Sequence, residues 1–277
     1  MSKITDPGYY LPQIFAVSPL GETASGTTKP LKIRGINERT HDESGEYFLK
    51  PIAGERMSAN ASMFELLGAF MAKQLDLNVA EPVLINISPD FVKLCKGKSF
   101  FKRVEQSIGI NFGTKNFGGG FYTWMPEMFL SFSLKEEALR IFVFDMLIQN
   151  MDRGHQKANL NTNGRELKIF DHELAFSYAV GLIGVVPTES WHFNENGIDK
   201  DLIFKHLFYK NLKGNKDLAI NHAVELIEQI NQFFWQKAEE LIPPQWMTTN
   251  FQKIKQHTQA IVDNLDHFEN EIRRILS

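Results

Sequence analysis

The residues best equipped for chemistry lie in Asn150-Met151-Asp152-Arg153-Gly154-His155-Gln156-Lys157-Ala158-Asn159, followed by Phe170-Asp171-His172-Glu173. Two lone carboxylates, Asp152 and Asp171, bracket a short predicted hairpin, and Asn159 stands at its start. Phosphoryl transfer needs such parts: one carboxylate to orient a hydroxyl, and Asn and Asp oxygens to hold Mg²⁺ on nucleotide phosphates. Mg²⁺ is a hard cation that takes oxygen ligands, few from protein and the rest from phosphate and water. Asp171 interrupts the run Leu167-Lys168-Ile169-Phe170 and precedes Leu174-Ala175-Phe176. A carboxylate among apolar neighbours is costly to bury alone, so it needs a partner, and Mg²⁺ suits. Zinc asks for at least three close N, S or O ligands, and His155 and His172 beside the two aspartates leave it as a minor alternative to Mg²⁺.

Two residues further upstream fit the same chemistry. Lys50 ends an apolar strand, so its stem can lie on the sheet while its ammonium reaches a phosphate. Glu65 is the one acidic residue between Ser58 and Leu75. Gly68, Ala69 and Ala72 make a small-residue surface beside it that permits close packing. Such a carboxylate can aim Lys50; it also fits a local capping pattern with Ser62. Ser25-Gly26-Thr27 precedes the first expected strand and could bring backbone amides to phosphates. Neither GxGxxG nor GxxxxGK[ST] occurs.

The elements that must position these groups change character along the chain. Leu31–Arg34 and Glu46–Lys50 read as strands, Ser58–Leu75 as a helix, and Val83–Ile87 as a strand after Pro82. Phe91–Leu94 and Ser99–Val104 read as further strands. Residues Gly109 to Phe121 hold five glycines and two asparagines and read as a flexible connection. Beyond it, Ser133-Leu134-Lys135-Glu136 fits a capping box, and Ala138–Ile148 is apolar nearly all round, as a buried helix is. Asn163-Gly164 suits a tight hairpin turn. Leu218–Leu241 and Phe251–Leu276 read as two amphipathic helices separated by Pro243-Pro244. The expected fold is α+β, with a β-rich unit at 1–108, a glycine-rich connection at 109–122 and a helical unit at 123–277.

Composition sets outer limits. The chain has 277 residues, 43% hydrophobic, enough for a sizeable core. A net charge of −3 argues against bulk electrostatic binding of nucleic acid. The single Cys95 excludes an intrachain disulfide. No stretch of 18 apolar residues occurs, so no membrane span is expected. The N-terminus carries no basic region followed by an apolar run, and a soluble cytoplasmic protein is the expectation.

The series Tyr47-Phe48-Leu49-Lys50, Glu65, Ala80-Glu81-Pro82, Asn150-Met151-Asp152-Arg153 and Phe170-Asp171-His172-Glu173 resembles the HipA-like kinase domain. It is similar in outline to type II phosphatidylinositol 4-kinases. The resemblance implies a two-lobed protein-kinase-like fold with ATP and Mg²⁺ in the cleft. Lys50 would contact the nucleotide phosphates and Glu65 would hold it. Asp152 would be the catalytic carboxylate, and Asn159 and Asp171 the metal ligands. The adenine-contacting hinge would fall near Lys102 to Gln106, with Arg103 a nucleotide contact. In the common kinase spacing the Asn lies five residues after the catalytic Asp; here Asn159 lies seven after Asp152, and position 157 is Lys. A protein substrate, the chain itself, or an antitoxin-like partner is implied. A small-molecule or lipid kinase and a nucleotide-binding pseudokinase are the competing readings.

Overall fold

The computed structural model describes residues 2–23, 28–41, 45–125, 127–180, 189–194 and 199–277. Its front is a closed five-stranded barrel built from β1 (Gln13–Glu22), β2 (Leu31–Asn37), β3 (Gly45–Lys50), β4 (Pro82–Ile87) and β5 (Gly109–Lys115). Around the barrel the strand order is β1-β2-β3-β5-β4, and β1 and β4 close it in parallel. The period of two decides what each strand buries. Leu31, Ile33 and Gly35 of β2 turn inward, while Lys32 and Arg34 do not. Leu49 of β3 joins Ile14, Ile33, Val83 and Ile85 in the barrel core. Its neighbours Phe48 and Lys50 therefore face the other side of the sheet.

Helix α1 (Ala59–Gln74) starts at Ser58, whose hydroxyl accepts the Ala61 N–H at 3.1 Å. It is apolar nearly all round and is buried from Ala61 to Gln74. Its Met63, Leu66, Leu67 and Phe70 belong to a second, larger core shared with the C-terminal helices. Between β4 and β5 the chain forms α2 (Pro89–Leu94) and α3 (Phe101–Glu105), where strands were expected. Pro89 at the first helical position and the Ser88 hydroxyl, which accepts the Phe91 N–H at 3.1 Å, start α2 as a helix.

Gly109–Lys115, expected to be flexible, is instead strand β5, flanked by β3 and β4. Its Gly113 is required by packing, since a Cβ there would lie 2.2 Å from Ile85 Cδ1 and 2.7 Å from the Phe48 carbonyl. The second sheet is small: β6 (Tyr122–Thr123), β7 (Leu160–Thr162) and β8 (Leu167–Ile169), all antiparallel. The expected turn is present, with Gly164 at φ +83°.

Helix α4 (Lys135–Leu147) is buried from Ala138 onward except at Arg140. The expected capping box does not form. The chain enters α4 through a 3₁₀ turn, Phe132–Leu134, so the extended residue is Ser131 and Ser133 already lies in the turn. Short helices come next: α5 (Ser177–Val180), α6 (Asp199–Phe204), α7 (Tyr209–Leu212) and α8 (Ile220–Glu225). Then come α9 (Gln232–Leu241), α10 (Thr249–Val262) and α11 (Leu265–Leu276). Each of the two expected tail helices is thus broken. Asn231 starts α9 by accepting the Phe233 and Phe234 N–H groups, and Asn264, whose side-chain amide donates to the Ala260 carbonyl, separates α10 from α11.

Candidate active site

Strand β3 delivers Lys50 to the face opposite the barrel core, where α1 passes. There Lys50 Nζ bonds directly to Glu65 Oε1, and lies 2.7 Å from Asp171 Oδ1 and 3.2 Å from Glu173 Oε2. The second Glu65 oxygen accepts the His172 backbone N–H at 2.8 Å. One carboxylate thus holds both the lysine and the segment after β8. Gly68 permits this approach: a Cβ there would sit 2.7 Å from His172 Cβ.

The loop after α4 supplies the opposite wall. Asp152 Oδ2 receives the Asn159 amide at 2.9 Å and the Lys157 ammonium at 2.6 Å. Lys157 also lies 3.1 Å from Asp171 Oδ2. Asn159 and Asp171 both adopt left-handed backbone, φ 44° and 65°. Asn and Asp tolerate that region better than other side chains. Non-glycine residues held there mark sites where surrounding structure over-determines the backbone.

Arg153 fixes the relation between loop and hairpin. It turns away from Asp152, is wholly buried, and pairs with Asp145 of α4 at 2.6 Å. Its guanidinium also donates to the Asn159 and Phe170 carbonyls. Its other nitrogen lies 3.3 Å from His172 Nε2. His206 completes the Asp145 shell at 3.0 Å; its Nδ1 accepts the Phe208 N–H, so its Nε2–H donates to the carboxylate.

Charge in this site is unbalanced. Burial opposes the Lys50 charge, but Glu65, Asp171 and Glu173 outweigh it and hold the ammonium well above its ordinary range. Burial would likewise raise Asp171, yet Lys50 and Lys157 together keep its carboxyl below the usual range. For Glu65, burial wins over Lys50 and pushes the acid up to about 7; Glu173 also rises through burial. Four carboxylates, Asp152 included, thus face two ammoniums. Burial and Arg153 hold His172 down to about 3, so it is neutral at pH 7 and faces the guanidinium rather than the carboxylates. Among the described residues, the group able to hold a metal is Glu65, Asp171 and Glu173, all oxygen donors.

These walls enclose a cleft of ≈ 670 Å³, the size of a small-molecule or cofactor site. Barrel residues Phe48 and Lys50 line one side and Lys157, Asn159 and Asp171 the other. Lys50, Glu65, Asp171 and Asn159, expected to act together, all line it, and Asp152 is bonded to Asn159 at its edge. Arg103 does not. It pairs with Glu22 at 2.9 Å and donates to the Lys29 carbonyl, while α3 packs with the barrel core. The chain segment at the cleft is instead the end of β5 and its continuation, Thr114, Asn116 and Phe117, because β5 and not residues 99–104 is the strand that leads out of the barrel. Ser25, Gly26 and Thr27 lie outside the described residues; Thr23 and Thr28 on either side of them line the cleft.

Sequence reasoning missed Asp145, Lys157 and Glu173. Asp145 carried a signal, since a carboxylate inside an apolar helix needs a buried partner. Lys157 carried one too, at the position where common kinase spacing has Asn. The Glu173 contact with Lys50 arises only from the fold.

No curated protein matches the chain. Among solved structures it is similar to the crystal structure of a Helicobacter pylori proinflammatory kinase, CtkA. That likeness has a TM-score of 0.50 at 14% identity and covers 93% of this chain and 95% of that one; it speaks for the fold alone. The family model for HipA-like kinases matches residues 20–274, and over that span Lys50, Glu65, Asp152, Asn159 and Asp171 converge on one cleft: the chain belongs to the HipA-like kinases, a family of phosphotransferases.

Proposed function

We propose that the chain is an ATP- and Mg²⁺-dependent kinase that transfers the γ-phosphoryl group to a Ser or Thr hydroxyl of a protein. The observation that carries this reading is the convergence of Lys50, clasped by Glu65 and Asp171, with Asp152 and Asn159 across one cleft. The arrangement would be two-lobed, the barrel as one lobe and the helices as the other, with the junction after β5.

The residues fit a divalent metal. Their donors are hard oxygens, the carboxylates outnumber the ammoniums, and Glu173 Oε1 is buried without a hydrogen-bond partner. Asp171 would hold Mg²⁺, with Asn159 and Glu173 offering further oxygens. When bound, the ion would neutralise phosphate charge and align the nucleotide. Lys50 would meet the phosphates as a point charge. Asp152 would orient the acceptor hydroxyl and take its proton. The acceptor oxygen bonds to the γ-phosphorus as the bond to the β–γ bridging oxygen breaks, and ADP leaves with that electron pair. A protein acceptor, the chain itself included, is the partner this reading needs. A cytoplasmic setting and an antitoxin-like partner rest on the family alone.

Intact-mass spectrometry after incubation with ATP and Mg²⁺, beside Asp152→Ala, tests the reading. A gain of about 80 Da, one phosphoryl group, in wild type alone supports it. A nucleotide monophosphate adduct would replace it with nucleotidyl transfer. Unchanged mass with wild type and no phosphate on an added protein mixture would count against protein phosphorylation.

A further inference from the structure

Lys157 lies between the carboxylate of the loop after α4 and that of the segment after β8. Its Nζ bridges Asp152 Oδ2 at 2.6 Å and Asp171 Oδ2 at 3.1 Å. The other Asp171 oxygen is engaged by Lys50, so each oxygen of that carboxylate faces one ammonium. Asn159 donates its amide N–H to the same Asp152 oxygen. In protein kinases two Mg²⁺ ions serve the phosphates, one held by the aspartate after the hairpin and one by the catalytic-loop asparagine. Mg²⁺ binds oxygen at about 2.0–2.1 Å and demands near-octahedral space. It cannot share the gap between Asp152 and Asp171 with an ammonium on a four-carbon stem.

We propose that Lys157 is a tethered cation that fills one of the two cation positions, so that the nucleotide is served by a single divalent ion. That ion is left the side of Glu173 Oε1, which is buried and unpartnered, and it reaches Asp171 there only as Lys50, which now holds Asp171 Oδ1 and Glu173 Oε2, turns to the nucleotide phosphates. Asn159 then acts as a donor that fixes Asp152 rather than as the ligand of a second ion. The ammonium supplies less charge than Mg²⁺, but it is always present and needs no capture from solution. The inference rests on the kinase reading for its nucleotide, while the bridge itself does not.

Mn²⁺ titration followed by electron paramagnetic resonance tests it on the full chain, with and without a non-hydrolysable ATP analogue. With the analogue, wild type should take one ion per complex. Lys157→Met should take a second, on the order of tenfold tighter than any second ion in wild type, because a like charge has left the gap. Asp152→Asn added to Lys157→Met should remove that ion again, and Lys157→Arg should behave as wild type. Lys157→Gln repeats the test with a side chain that still hydrogen-bonds. Two ions in wild type, or equal numbers in wild type and both uncharged variants, would overturn the proposal. If wild type binds no analogue, the kinase reading fails. The nucleotide-free titration still decides the bridge, since only the uncharged variants should gain an ion that depends on Asp152 and Asp171.

Discussion

Two buried carboxylates hold opposite sides of the site, and each answers to a different cation. Asp145 is wholly buried and is held by Arg153 and His206. Removing one partner of a buried pair leaves the other charge unpaired, which destabilises by about 3–5 kcal/mol. Asp145→Ala should therefore lower stability by about that amount, read as a fall in the urea midpoint, because Arg153 loses its counter-charge at the point where it also ties Asn159 to Phe170. A midpoint within about 0.5 kcal/mol of wild type would mean that water reaches the guanidinium. Glu65 differs. Its partner Lys50 keeps Asp171 and Glu173, so Glu65→Gln should fold but aim the lysine less well. The expected result is a loss of about 10-fold or more in phosphoryl transfer with a smaller stability change, and equal transfer by the variant would remove Glu65 from the positioning role.

At the scale of elements, α1 reaches the cleft only because Gly68 lets it. The contact with His172 leaves no space for a methyl group. Gly68→Ala gains helix propensity of about 1 kcal/mol but must move α1 or the segment after β8. A net destabilisation of about 1–3 kcal/mol by overpacking is expected, together with reduced transfer, since Glu65 rides on the same helix. A more stable and fully active variant would show that the contact relaxes freely. Helix α10 carries a pH-dependent term. His257 stacks on Tyr178 with ring centroids 3.7 Å apart, and burial pushes its imidazole down from 6.5 to about 4. The unfolded histidine binds a proton below pH 6.5 while the folded one stays neutral. Stability is therefore complete above about pH 6.5 and is lost as pH falls towards 4, by on the order of 3 kcal/mol. His257→Phe should flatten that loss when urea midpoints at pH 7 and pH 4.5 are compared; an unchanged acid loss would place the titration elsewhere.

The same elements separate what the sequence could disclose from what it could not. Helix α1 and the β7–β8 turn were legible because a strong cap, a long apolar pattern and Asn-Gly are local signals. Short apolar runs are not decisive, and the strand reading of Phe91–Leu94 failed because a run of that length fits a helix turn equally well. The glycines of β5 looked like a hinge because the side chains that require them, Ile85 and Phe48, are distant in sequence. Lys50, Asp152, Asn159 and Asp171 were legible as isolated polar groups at or beside element ends, and Glu65 as the one acidic residue within an apolar helix. The Lys157 bridge was not, because it depends on how the loop folds back against the hairpin.

On the scale of the whole molecule, the described residues form two hydrophobic cores, and the cleft is lined by Phe112, Trp124 and Ala158 of the larger one and by Phe48 and Lys50 from the face of β3 opposite the barrel core. Helix α1 belongs to the larger core, although it comes directly after β3 of the barrel. The Thr248 hydroxyl donates to Asn60 at 2.6 Å, which ties the start of α1 to the cap of α10. The Lys50–Glu65 pair consequently links the barrel sheet to a helix anchored among the C-terminal elements. A ligand that touches Lys50 on one side and Asp171 on the other should stabilise both parts at once. At a nucleotide concentration 100 times its Kd the gain is about 2.7 kcal/mol, a rise of several degrees in the thermal midpoint. The ion-dependent share of that gain should appear with ATP plus Mg²⁺, shrink with ATP plus chelator, and vanish in Asp171→Asn, which keeps the size of the side chain but not its charge. Differential scanning calorimetry distinguishes the cases. If chelator leaves the shift intact, or Asp171→Asn retains it, the nucleotide is held by the barrel side alone, and Asp171 does not carry the ion across the cleft.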